Sequence, residues 1–213
     1  MIFTCNCNIN IDTFNHSYWE SKKTTSDEIE IIKFLLNNQK NLKSKNILHI
    51  GIGNSYLAEK LSFYNCKVDG ITISKKEFDL AINKKIKNYK VFLINKFSKD
   101  FINFNRNKKY DFIIDNNLKS YSCCNQSFEF FFNILNNLIN KKSLILTSRK
   151  GMKWSKLLKR SLSFNLKNFF YIKLKEYNGP KRNILTINSG QILAKKFKLI
   201  FYFNNKIAYF KKK

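Results

Sequence analysis

From residue 46 onward, apolar residues gather into short runs separated by polar segments with helical spacing. Ile47-Leu48-His49-Ile50 runs directly into Gly51-Ile52-Gly53, and Tyr56, Leu57, Ala58 and Leu61 follow at intervals that share one helical face. This order predicts a strand buried on both faces, a tight turn and a helix. The same alternation continues. Strands are predicted at Lys67–Ile73, Tyr89–Ile94, Tyr110–Ile114 and Ser143–Thr147. Helices are predicted at Lys75–Ile86, with Phe78, Ala81, Ile82 and Ile86 inward, and at Phe128–Ile139, with Phe131, Leu135, Leu138 and Ile139 inward. The tail reads as a short helix over Ser189–Lys196, then two alternating runs, Phe197–Phe203 and Lys206–Phe210, joined at Asn204-Asn205 as a hairpin. Ahead of the first strand, Thr25 and Glu28 have capping-box spacing and open a helix whose face is Ile29, Ile32, Leu35 and Leu36. The expected architecture is α/β: a mostly parallel, seven-stranded sheet with helices on both faces and a C-terminal antiparallel hairpin. Residues 1–44 form an N-terminal arm and helix, and residues 45–213 the main domain.

Composition narrows the class. With 44% hydrophobic and 15% aromatic residues, one proline and six glycines in 213 residues, the chain suits a single packed domain and contains no linker-like stretch. No apolar run approaches the ~20 residues of a membrane span, and the first residues lack the form of a signal peptide; a soluble, cytoplasmic protein is expected. Five cysteines (Cys5, Cys7, Cys66, Cys123 and Cys124) form no C-x-x-C pair and have no histidine near them in sequence, so neither a disulfide framework nor a metal site is expected. Forty Lys+Arg against 14 Asp+Glu give a formal charge of +26, which favours anionic partners, either a small molecule or nucleic acid. The lysines are spread along the chain, and a general bias toward Lys, Asn, Ile and Phe explains many of them.

Four segments, in this order, resemble the class I S-adenosylmethionine-dependent methyltransferases over residues 45–213. ILHIGIGNSYLA is similar to the glycine-rich motif after the first strand. VDGITISKKEFDLA is close in form to the second-strand region of the cyclopropane fatty acid synthase branch. KKYDFIIDNNL resembles the fourth-strand motif, and TINSGQILAKKFKLIFYFNNKIAYF the terminal helix and hairpin. The resemblance implies a Rossmann-like fold, S-adenosylmethionine as cofactor and methyl transfer to a small polar or anionic acceptor. It also implies cofactor-binding roles for His49, Gly51, Gly53, Ser55, Thr72 and Glu77. His49 stands where the family has an acid, Ser55 where it has a third glycine, and Thr72 where it has the acid that holds the ribose. Glu77 matches the later polar residue that serves that purpose in the cyclopropane synthase branch. Asn95, Lys96 and Phe97 stand where the family has an adenine-contacting acid.

Each candidate has a second reading. Gly51 and Gly53 line a cofactor or simply make a tight turn. His49 contacts the ligand or sits hydrogen-bonded beneath the turn, and Glu77 accepts from a ribose or answers a helix dipole. Asp115, at the carboxyl end of the fourth strand, is the candidate catalytic residue, orienting an acceptor or taking its proton, or else it starts an Asx turn. Asn116, Tyr121 and Arg149 are the candidate substrate-binding residues, with Lys150 and Lys153 beside Arg149 forming an anion site or a solvated cluster. His16 and Trp19 belong to the arm, as a lid or an anchor. A non-catalytic module of the same fold and an RNA or DNA methyltransferase are the alternatives to the small-molecule enzyme.

Overall fold

The structure is a computed structural model, and it describes residues 22–38, 42–116, 118–120, 122, 124–149 and 185–213. His16, Trp19, Cys5, Cys7, Asn117, Tyr121, Cys123, Lys150 and Lys153 lie outside the described residues. The elements in chain order are α1 (Ser26–Asn38), β1 (Asn46–Ile50), α2 (Tyr56–Ser62), β2 (Lys67–Thr72), α3 (Lys75–Asn83), β3 (Tyr89–Leu93), α4 (Lys99–Phe104), β4 (Tyr110–Asp115), α5 (Asn125–Leu138), β5 (Ile139–Ser148), α6 (Ile187–Lys196), β6 (Leu199–Phe203) and β7 (Ile207–Lys212).

These strands form one seven-stranded sheet in the order β3-β2-β1-β4-β5-β7-β6. The pairings from β3 to β5 are parallel, and β7 runs antiparallel to both β5 and β6. Apolar side chains alternate across the sheet and divide the core in two. On one face Leu48, Ile50, Ile71, Ile113, Ile145 and Phe210 meet Phe101 of α4, Phe128, Phe131, Phe132 and Leu135 of α5, and Leu193 of α6. On the other, Ile47, Val68, Phe112, Ile114, Leu144 and Ile207 meet Ile31, Ile32 and Leu35 of α1 and Leu57, Ala58 and Leu61 of α2. Strands buried on both faces need near-continuous apolar runs, and β1 and β4 have them. Each fully buried Leu, Ile or Phe contributes about 1.5–3 kcal/mol relative to exposure, so the sheet interior carries the fold.

The elements agree with the sequence pattern except in detail. Predicted helix Lys75–Ile86 stops at Asn83, because Lys85 (φ 47°) and Asn88 (φ 58°) turn the chain through left-handed conformations. Helix α4 was not expected: Ser98 caps it, accepting from the Phe101 N–H, and a six-residue helix is too short to show periodicity. The expected capping box at α1 forms by half. Thr25 Oγ1 accepts from the Glu28 N–H (3.2 Å), but the Glu28 carboxylate accepts from Thr24 Oγ1 (2.5 Å) and from the Leu57 N–H of α2 (3.1 Å). Glu28 thus ties two helices together. The hairpin turn spans 204–206, where Asn204 Oδ1 accepts from the N–H groups of Lys206 and Ile207, both at 2.8 Å. Among the described residues, no helix is long and apolar enough to cross a membrane.

Among the described residues two glycines are required by packing: Gly190 of α6, where a Cβ would lie 2.8 Å from Phe201 Cζ, and Gly70. A Cβ on Gly70 of β2 would lie 2.6 Å from the Tyr89 hydroxyl and 2.8 Å from Ile52 Cγ2. Gly70→Val is expected to destabilise the protein by about 2 kcal/mol through overpacking, read as a lower urea midpoint; Gly70→Val/Tyr89→Ala should recover part of the loss.

Candidate functional site

The chain order places the site. After β1 the chain moves outward through β2 to β3, then crosses back to lay β4 on the other side of β1. Between β1 and β4 the loops leave in opposite directions, which opens a crevice at the carboxyl edge of an open α/β sheet. The register sets Ile50 beside Asp115, so the glycine turn and the end of β4 flank this crevice.

The turn itself is anchored and open. Gly51 has φ 75° and Gly53 φ 51°, left-handed conformations that glycine adopts without strain. The Gly51 N–H donates to Ile71 O at 2.9 Å. Ile52 is fully buried against Ala81 and Val91 and pins the loop down, while a Cβ on Gly51 would meet nothing within 4 Å. Ser55 takes a left-handed conformation (φ 59°) at the N-terminus of α2 and makes no side-chain cap. Its hydroxyl instead lies 3.0 Å from the Tyr89 hydroxyl, and burial pushes the Tyr89 phenol pKa up, keeping it neutral.

Around the turn the candidate residues behave differently from one another. His49 is buried (2% exposed) and its Nδ1 has no hydrogen-bond partner among the described residues. Burial lowers the pKa of His49 from 6.5 to about 4, so the ring is neutral at physiological pH. At the end of β2, Thr72 Oγ1 donates to Glu77 Oε2 at 2.6 Å and accepts from the Ser74 N–H at 3.0 Å. The structure therefore brings these two candidates together. Ser74 caps α3 by accepting from the Glu77 N–H.

Asp115 has a cation beside it. Lys96 Nζ donates to Asp115 Oδ2 at 2.7 Å and to Leu118 O at 3.2 Å, and the Lys96 and Asp115 side chains are 9% and 2% exposed. Burial pulls the Lys96 pKa down, and the Asp115 charge and hydrogen bond pull it back up. The ammonium also lies 5.2 Å from the Phe131 ring centre and 5.5 Å from that of Phe97, a cation–π environment. The sequence marked Lys96 only as the occupant of a position where an acid was expected; its partnership with Asp115 across 19 residues had no local signal. Asn116 is half-buried and its Oδ1 has no partner among the described residues, while Thr147 Oγ1 donates to its carbonyl at 3.3 Å. Arg149, half-buried beyond β5, donates its N–H to Lys206 O at 2.8 Å and lies 5.6 Å from the Phe203 ring centre. Of the other cysteines, Cys66 donates to Leu42 O and exposed Cys124 caps α5 through its sulfur. No cluster of metal-ligand type occurs among the described residues.

No protein-family model and no curated protein matches the chain in sequence. Solved structures match in fold. Magnesium protoporphyrin IX methyltransferase from Synechocystis PCC 6803, with bound SAH, superposes with a TM-score of 0.59 at 13% identity over 87% of this chain and 81% of that one. The N-methyltransferase NodS from Bradyrhizobium japonicum WM9 gives 0.59 at 12% identity over 90% and 99%. A TehB-like SAM-dependent methyltransferase from Corynebacterium glutamicum ATCC 13032 gives 0.56 at 12% identity over 86% and 88%. The chain has the fold of the class I S-adenosylmethionine-dependent methyltransferases: a mostly parallel seven-stranded sheet closed by an antiparallel pair.

Two measurements check this electrostatic picture. A histidine whose pKa falls from 6.5 to about 4 on folding binds protons more readily when unfolded. Its contribution is therefore present above pH 6.5 and lost as pH falls through 4, amounting to about 3 kcal/mol. Urea unfolding from pH 7 to pH 4 should show that loss in the wild type and not in His49→Gln; buried Glu28, whose pKa is raised by burial, contributes with the opposite sign in both proteins and cancels in the difference. Lys96→Met should cost about 3–5 kcal/mol by removing the ammonium that pairs with buried Asp115, and Lys96→Met/Asp115→Leu should recover most of it.

Proposed function

We propose that this protein is an S-adenosylmethionine-dependent methyltransferase acting on a small polar or anionic acceptor. The carrying observation is the crevice between β1 and β4. There, open space faces Gly51, and Asn116 Oδ1, one residue past the end of β4, is buried without a partner among the described residues. Buried polar groups are costly without hydrogen bonds, and a polar ligand at the switch point would supply them. Structures of the same fold, including NodS, were solved with SAH; this supports the cofactor assignment here.

In this reading Gly51, Gly53 and Ser55 form the backbone cradle, with neutral His49 beneath it. Glu77 and Thr72, already hydrogen-bonded to each other, present oxygens at the end of β2 to ribose hydroxyls. The bound cofactor would supply an electrophilic sulfonium methyl group. Displacement at such a carbon needs alignment and exclusion of water more than acid–base help. Asp115, held by Lys96, serves as a fixed anion orienting the acceptor rather than as a base that takes its proton. Asn116, Tyr121 and Arg149 are the residues this reading assigns to a polar or anionic acceptor, Asn116 because it directly follows β4.

A second reading, a module of this fold that does not hold the cofactor, has its own support. The Ser55 hydroxyl is engaged by Tyr89 and the Thr72 hydroxyl by Glu77. Isothermal titration decides. S-adenosylmethionine is expected to bind, Glu77→Ala to weaken binding about tenfold, and Gly51→Arg, whose side chain would fill the open space, to abolish it while the protein remains folded by thermal unfolding. No heat of binding at millimolar cofactor would leave only the non-catalytic reading.

A further inference from the structure

At the opposite, amino-terminal edge of the sheet the charge pattern changes. Segments 42–45, 63–67, 84–88 and 105–109 lead into β1 to β4, and 140–143 form the bulged start of β5. The antiparallel register Leu144↔Lys211 brings 211–213 to the same edge. These 26 residues hold fourteen Lys or Arg and no Asp or Glu, whereas the whole chain has 40 Lys+Arg and 14 Asp+Glu in 213 residues. A uniform excess of lysine would not produce that concentration. Acids from neighbouring elements reach three of these cations: Asp111 pairs with Lys45 (3.1 Å), Glu59 with Lys84 (3.8 Å) and Asp69 with Lys108 (3.0 Å). Burial and the nearby Lys109 charge both pull the Lys212 pKa down, a sign of cations gathered together.

We propose that this edge is a docking surface for single-stranded nucleic acid. The cations follow the strand ends from β3 to β7, five inter-strand gaps or about 24 Å, a linear band suited to a phosphate backbone. Phe63 (76% exposed) and Tyr64 (42% exposed) stand within it, with Lys60 Nζ 5.9 Å from the Phe63 ring centre. Exposed rings beside lysines are what unpaired bases stack on, and a duplex does not offer its base faces. A groove on the same edge is lined by Asn103, Arg106 and Asn137 over Ile102 and Ile134, giving amide and guanidinium groups for base edges. The band lies across the sheet from Gly51 and Asp115, so a bound strand does not enter the crevice. It would tether the protein and not serve as the methyl acceptor. This inference is independent of the proposed activity.

Fluorescence anisotropy of a labelled 16-nucleotide oligouridine RNA with the full chain tests it, between 50 and 200 mM KCl. Binding is expected, with log K falling linearly with log salt. Lys87→Glu/Arg106→Glu should weaken it at least tenfold and flatten the salt slope. Lys33→Glu/Lys99→Glu, which changes net charge equally away from this edge, should change it less than twofold. Phe63→Ala should weaken binding about threefold with the slope kept. S-adenosylmethionine titration of Lys87→Glu/Arg106→Glu should match wild type, separating this result from the cofactor question. Absence of binding at 100 mM KCl, equal losses in the two double variants, tighter binding to the duplex, or preference for vesicles containing phosphatidylserine would each overturn the assignment.

Discussion

The parallel pairing of β1 with β4 is the constraint on which the rest depends. Ile50 opposite Asp115 sets the glycine turn beside the end of β4, and a register slip of one residue would turn every side chain of β1 to the other face. That would carry Ile47 and His49 away from α1 and α2 and bring Leu48 and Ile50 out of the aromatic layer built by α5. With apolar layers on both sides, neither displacement is tolerable. Burial of β1 therefore positions the candidate site as firmly as it holds the core together.

Charge is distributed around that site in an unusual way. Where an acid would face the turn there is a histidine made neutral by burial, and the acid that ends β4 is balanced by Lys96. Glu28, also buried, reaches the first turn of α2 from a different helix. The two buried acids among the described residues, Asp115 and Glu28, are thus each held by a donor. A buried ion pair is poor evidence of net stability, because desolvating both charges offsets their attraction; its clearer effect here is to fix the Asp115 carboxylate in one orientation.

Much of the fold was legible because its signals are local. Two-sided burial writes β1 and β4 as largely apolar runs, interrupted by His49 and by Asp111, and the hairpin shows itself in alternating residues around Asn204-Asn205. What was not legible is non-local or too short. Helix α4 has six residues and hides its period. The Lys96–Asp115 pair, the Glu28–Leu57 bond and the Ser55–Tyr89 contact each join residues that only the folded sheet makes neighbours. For the candidate site, the sequence named the loop and strand-end positions at the crevice. It had no means of telling that Thr72 and Glu77 are partners, or that Ser55 turns toward β3 and not toward α2.

The link from Ser55 to Tyr89 has a dynamic consequence. Among the described residues β3 is an edge strand, paired on one side only, and sheet edges open more readily than sheet centres. Yet its Tyr89 grips the last residue of the glycine turn, and its Val91 packs beneath Ile52 in the middle of that turn. Fraying of the periphery is therefore motion of the turn itself. Order in the glycine turn is held in place from the rim of the sheet inward, and whatever stiffens β3 sharpens the turn.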